Sequence, residues 1–251
     1  MSGHSHWATI KRSKGAADAK RGQVFTKLGR ELEIAARDGG GDPSSNFRLR
    51  LVMDKAKQAQ MPKENIERAI LRGTGQLKGE SIEEIQYEGY GIQGAAMVVE
   101  VVTNNRNRAA SEVRRVFTRH GGNLSATGSV SWMFERKGYV SILPSNGDAE
   151  ELALMAIDAG ADDVKMDEEL VEVFTKAEEL QKIKEAFEER KIPFETAQLS
   201  WVPKSLAQLD QKATIANMRL IDALEELEDV AQVYSNLDIS DEAMAAYEAE
   251  Q

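Results

Sequence analysis

The stretch RKGYVSILPSNGDAEELALMAIDAGADDVKMDEELVEVFTKAEELQKIKEAFEERKIPFETAQLSWVP, residues 136–203, decides how the chain is divided. Tyr139 to Leu143 predicts a strand, and Ala149 to Ala159 a helix that Gly160 ends. Asp163 to Met166 and Leu170 to Thr175 predict strands on either side of the acidic turn Asp167-Glu168-Glu169. Glu178 to Arg190 predicts a second helix and Phe194 to Val202 a closing strand. The order β-α-β-β-α-β is the split-βαβ, or ferredoxin-like, arrangement. It is complete by residue 203. The helix expected at Leu206 to Glu226 and the strand at Val230 to Tyr234 must therefore complete something that began earlier.

The earlier partner lies upstream of the block. Tyr87-Glu88-Gly89-Tyr90-Gly91 ends one strand in a glycine turn, and Ala95 to Thr103 is a second, buried strand. Thr103-Asn104-Asn105 caps a helix from Arg106 to His120, whose core face is Ala109, Val113, Val116 and Phe117. Val130, Trp132 and Phe134 alternate with polar residues, which predicts a strand from Ser129 to Phe134. The expected organisation is one α/β domain over 80–135 plus 204–238, with 136–203 inserted in it and an acidic, helix-prone tail at 239–251.

Upstream again, residues 23–79 read as helices. Phe25, Leu28, Leu32 and Ala35 form one face of a helix from Gln23 to Arg37, and Gly39-Gly40-Gly41-Asp42-Pro43 stops it. Asn46 to Gln60 follows with an apolar stripe of Leu49, Val52, Met53, Ala56 and Ala59. Pro62 opens a short third helix that Gly73 closes. A bundle of about 55 residues is small for independent stability and is expected to lean on its neighbours. Residues 1–22 read as a basic arm. The fold class expected is α+β and multidomain: an N-terminal three-helix domain plus two ferredoxin-like α/β domains, one inserted in the other.

Charge separates the two ends of the chain. Of the 251 residues, 1–79 hold 16 Lys and Arg against 8 Asp and Glu, net +8, while 80–251 hold 16 against 34, net -18. A basic head on an acidic body points to a polyanion partner at the head alone. The candidate contacts are Lys11, Arg12, Lys14, Lys20, Arg21, Lys27, Arg30, Arg48 and Arg50, with Arg106 and Arg108 on the later helix. His4 and Trp7 join them in the arm, where Trp7 can stack on an unpaired base or dock on the first helix. The absence of Cys excludes disulfides and thiolate chemistry. The absence of any apolar run near ~18 residues excludes a membrane-spanning helix. Residues 1–20 do not read as a signal peptide, and a cytoplasmic location is expected.

Seven motifs occur together and in order: Ser2-Gly3-His4-Ser5-His6-Trp7, Asp18-Ala19-Lys20-Arg21-Gly22, Gly39-Gly40-Gly41-Asp42-Pro43, Met61-Pro62-Lys63-Glu64-Asn65-Ile66, Tyr87-Glu88-Gly89-Tyr90-Gly91, Asn105-Arg106-Asn107-Arg108 and Gly121-Gly122-Asn123-Leu124. In these the chain resembles the YebC/PmpR family, relatives of the mitochondrial translational activators of cytochrome oxidase. The resemblance implies three domains, the third inserted in the second, and a non-enzymatic regulator of gene expression. Members are catalogued as DNA-binding transcriptional regulators, and others act in translation at the ribosome. His6, Ile92 and Asn104 stand where the family usually has Lys, Pro and Asp.

No catalytic, metal or cofactor constellation is found. His4 and His6 are two ligands without nearby Cys or carboxylate, a poor zinc site. His120 sits at a helix C-terminus, where a cation is favoured and capping is its expected role. The pairs Asp162-Asp163 and Glu225-Glu226 read as solvated faces. The expected function is nucleic-acid binding, with duplex DNA in transcription or ribosomal RNA in translation as the target. The alternative is a protein-docking module that uses the acidic surface. A monomer with no membrane and no small-molecule substrate is expected.

Overall fold

A computed structural model describes residues 18–144, 147–166 and 170–250. The chain opens with helices α1 (Asp18–Gly39), α2 (Phe47–Gln58) and α3 (Lys63–Gly73). Strands β1 (Glu83–Tyr90) and β2 (Ala96–Thr103), helix α4 (Arg106–Arg119) and strand β3 (Asn123–Ser125) follow. Next come β4 (Phe134–Ile142), α5 (Ala149–Ala159), β5 (Asp163–Met166), β6 (Val171–Lys176), α6 (Leu180–Glu189) and β7 (Thr196–Pro203). Helix α7 (Gln211–Glu225), strand β8 (Val230–Ser235) and helix α8 (Asp241–Ala249) complete the described chain. The fold is α+β, with an N-terminal helical region and two four-stranded sheets, in the orders β3-β1-β2-β8 and β5-β6-β4-β7. No described helix is long and apolar enough to cross a membrane. Among the described residues, 18–131 with 216–233 make one compact unit, and 132–215 with 234–250 the other.

In the first unit, α1 begins earlier than the expected Gln23 and takes in Lys20 and Arg21. Leu28, Leu32, Leu49, Val52, Met61 and Ile66 form the helical core. The turn from α1 to α2 depends on Asn46. Its Nδ2 donates to the Ala35 and Gly40 carbonyls, each at 2.7 Å, while its Oδ1 accepts from Leu49 N at 3.0 Å. One buried side chain thus satisfies groups at the end of α1 and the start of α2. Gly40 supplies the left-handed φ of 83° that the turn requires.

The helices do not stand alone. Ile34 on α1 is buried against Ile82, Val102 and Ala231 of the first sheet region. Beside it Asp229, 3% exposed, accepts from Arg30 Nη1 at 2.8 Å, Arg108 Nη2 at 2.8 Å and Thr103 Oγ1 at 2.9 Å. Thr103 Oγ1 also accepts from Asn105 N at 2.9 Å, and Asn105 caps α4 through Arg108 N. Helix α4 lies directly on β1, since a Cβ at Gly89 would meet the Phe117 ring at 2.8 Å.

The strand expected from Ser129 to Phe134 does not form. Glu88, 1% exposed, accepts backbone hydrogen bonds from Gly128 (2.8 Å), Val130 (2.7 Å) and Ser131 (2.9 Å). These donors serve a carboxylate and not a strand ladder. Ser131–Met133 forms a 3₁₀ turn, Trp132 is 66% exposed, and the strand starts only at Phe134. The third strand of the first sheet is instead Asn123–Ser125, antiparallel to β1.

In the second unit, β4-α5-β5-β6-α6-β7 with the order β5-β6-β4-β7 is the split-βαβ arrangement. The pairings among its four strands are antiparallel. A Cβ at Gly138 would meet Leu180 Cβ at 2.8 Å, so the start of α6 rests on the centre of β4. The helix expected from Leu206 begins at Gln211. Ala207 is occupied instead, donating to Asn236 O (2.7 Å) and accepting from Asp238 N (3.0 Å).

Two substitutions test this account. Asp229→Ala leaves two guanidinium groups and a buried hydroxyl without their common acceptor. It should destabilise the protein by about 3 kcal/mol in urea unfolding, the low end for losing one partner of a buried pair because Arg108 keeps access to water. Burial alone would raise the pKa of Glu88, but the three backbone N–H groups outweigh it and hold the carboxyl below its ordinary value. Glu88→Gln should cost about 1–3 kcal/mol at pH 7. A depressed folded-state pKa stabilises above the unfolded value, so the gap between wild type and variant should close as pH falls through the folded pKa.

Candidate nucleic-acid interface

His4, Trp7, Lys11, Arg12 and Lys14 lie outside the described residues, as does the side chain of Lys20. Arg21 is exposed on the first turns of α1 and donates to Gln60 Oε1 at 2.5 Å. Lys27 donates to the Glu225 carbonyl. Arg30 is largely withdrawn from solvent. Besides Asp229 it pairs with Glu228 at 2.7 Å. Arg48 on α2 pairs with Glu84 at 2.6 Å and Asp38 at 3.5 Å, at about 39% side-chain exposure. Arg50 is partly buried, and its Nε has no hydrogen-bond partner.

The α4 cations divide in the same way. Arg106 is exposed and reaches Glu83 at 3.6 Å. Arg108 is bound to Asp229 by several hydrogen bonds, and this hydrogen bonding, with the Asp229 charge, raises its pKa further. Arg114, Arg115 and Arg119 are exposed along the same helix. His120 follows α4 and its backbone N–H bonds back to Val116 O at 3.1 Å. His120 is the C-cap residue of this helix, the place expected for it. Burial lowers its pKa, and the Arg119 charge lowers it further.

The structure therefore places Arg30, Arg48, Arg106 and Arg108 in internal ion pairs and draws Arg30 and Arg108 to a single carboxylate. It also reveals a feature not singled out from the sequence. A groove of about 580 Å³ runs between α1 and α3, with Phe25, Gly29 and Met61 on its apolar side and Asn65, Arg68 and Lys78 among its polar lining. Arg68 and Lys78 are exposed and take part in no ion pair among the described residues. The available signal was Gly29. A glycine inside an amphipathic helix weakens it, and its place there has a reason in packing or in a site.

Comparison with known proteins bears on both regions. Residues 5–76 match the model of the TACO1/YebC protein N-terminal domain, and residues 82–237 that of the TACO1/YebC second and third domain. A protein of Geobacter sulfurreducens named a probable transcriptional regulatory protein is 51% identical over 244 residues, covering 97% of this chain and 98% of its own. A protein of the same description from Chloroflexus aurantiacus is 51% identical over 252 residues, covering 99% and 100%. The crystal structure of a conserved hypothetical protein from Aquifex aeolicus superposes with a TM-score of 0.83 at 49% identity, covering 89% of this chain and 93% of that one. Matched along nearly its whole length by both domain models and by these relatives, the chain belongs to the TACO1/YebC family.

Proposed function

We propose that this protein is a non-enzymatic, nucleic-acid-binding regulator of gene expression that holds its target by the N-terminal end. The observation that carries this is the charge division, net +8 over residues 1–79 and net -18 over 80–251. A phosphate polymer is drawn to one end and repelled by the rest. Relatives at about half identity are named probable transcriptional regulatory proteins, which favours duplex DNA as the target. The cations Lys11, Arg12, Lys14, Lys20, Arg21 and Arg50 are the proposed phosphate contacts, with Arg48 and Arg106 reachable at the margin.

Structured RNA on a ribosome fits the same contacts as a second target. Four of the arginines considered for contact are held in internal ion pairs, which fix their side chains on the protein. The remaining attraction is to phosphate, which positions a polymer without choosing its sequence or its sugar.

Fluorescence anisotropy with a DNA duplex and an RNA hairpin, at 50 and 200 mM salt, tests both. Four to six phosphate contacts should weaken binding by about 10²–10³-fold between those concentrations. Removing residues 1–17 spares α1 and takes away Lys11, Arg12 and Lys14. The slope of log affinity against log salt should then flatten by about 3. Unchanged affinity in the shortened chain would overturn the role of the arm, and the tighter of the two probes identifies the target class.

A further inference from the structure

We propose that the groove between α1 and α3 holds one unpaired nucleotide of a nucleic-acid strand. The proposal rests on the nucleic-acid reading above and adds a site and a ligand form to it.

The first argument is the balance of charge in the groove. Arg30, Arg68, Arg72 and Lys78 line it against Glu33 and Glu80. Arg30 is spent on Asp229 and Glu228, Arg72 pairs with Glu33 at 2.8 Å, and Glu80 accepts from Asn104. Arg68 and Lys78 are left exposed and without an ion pair among the described residues. Glu80 keeps its charge beside the neutral Asn104 amide, so two unpaired cations stand against one carboxylate, and the net positive opening suits a phosphate.

The second argument is the floor. Phe25 is half-buried and Met61 nearly buried, so the groove offers an apolar surface next to the two cations. Gly29 keeps that floor open, since a Cβ there would meet only Met61 Cε, at 3.8 Å. The Asn65 side-chain amide, which can both donate and accept, lies on the lining, and its side chain makes no hydrogen bond to a described residue. A phosphate anchor, an apolar surface for the face of a base and an amide for its edge fit the phosphate and the base of a nucleotide. The volume of about 580 Å³ falls within the range of about 300–1,000 Å³ typical of small-ligand sites. A base held in a duplex stack could not enter, so the nucleotide must be unpaired or flipped out.

The test uses the full chain and a 5′-fluorescein 12-mer, supplied as single-stranded RNA, as single-stranded DNA and as the DNA duplex. Gly29→Leu fills the floor without changing charge, and leucine is the better helix former. It should bind both single strands at least tenfold more weakly, leave duplex binding within about threefold, and melt no lower than wild type. Gly29→Ala, which adds only an ordinary contact, should lie between them. The pair Arg68→Ala and Lys78→Ala should weaken single-strand binding as well. Wild-type affinity for single strands in Gly29→Leu and in the double variant, with duplex binding intact, overturns the groove and spares the broader function. A wild-type chain that binds no nucleic acid at 50 mM salt overturns both. Displacement of the strand by poly-glutamate but not by a dinucleotide identifies an acidic peptide site and also overturns the proposal.

Discussion

One buried carboxylate fixes where the basic helices stand. Asp229 is nearly withdrawn from water and must be paired to remain charged there at tolerable cost. Arg30 reaches it from α1, Arg108 from α4 and Thr103 from the end of β2. The Val102 amide donates to the Asp229 carbonyl at 2.8 Å, so the backbone is tied at the same point. Hydrophobic packing of Ile34 against Ile82, Val102 and Ala231 supplies area without direction. The charged hydrogen bonds supply direction. The three-helix bundle, too small to be secure alone, is thereby held in a fixed relation to the first sheet.

The same interaction explains which parts of the molecule could be read from sequence. Period and punctuation placed the helices and most strands, because those signals are local. The Asn46 and Asn105 caps, the glycine stop after α1 and the βαββαβ block all stand in the sequence as patterns a few residues long. The strand expected at Ser129–Phe134 failed because a carboxylate from β1, some forty residues earlier, claims the backbone donors there. The start of α7 was misplaced because Ala207 bonds to residues beyond β8. The fate of the arginines was illegible for the same reason. Arg30 and its acceptor are 199 residues apart, and Arg108 and that acceptor 121. Composition counts cations but cannot tell which of them a distant acid will consume.

What remains after that consumption is still positive at the N-terminal end. The internal pairs neutralise part of the charge and also stiffen the helices that carry the rest. Side chains such as Arg21 and Arg68 stand exposed on helices whose positions are fixed from within. The groove adds a concave, partly apolar element to a region that sequence alone presents as a convex basic surface. Gly29 is the small residue on which that difference turns.

The second sheet begins and ends at one place. Its first and last strands lie side by side, with Phe134 opposite Pro203, and Lys204 N closes the pair on Met133 O at 2.9 Å. Some seventy residues therefore enter and leave through a single doorway. To the flanking chain, this segment is topologically no longer than a hairpin bend, and loop length itself carries only a weak entropic penalty. A change of length between β4 and β7 therefore leaves the points where the chain enters and leaves this strand pair side by side.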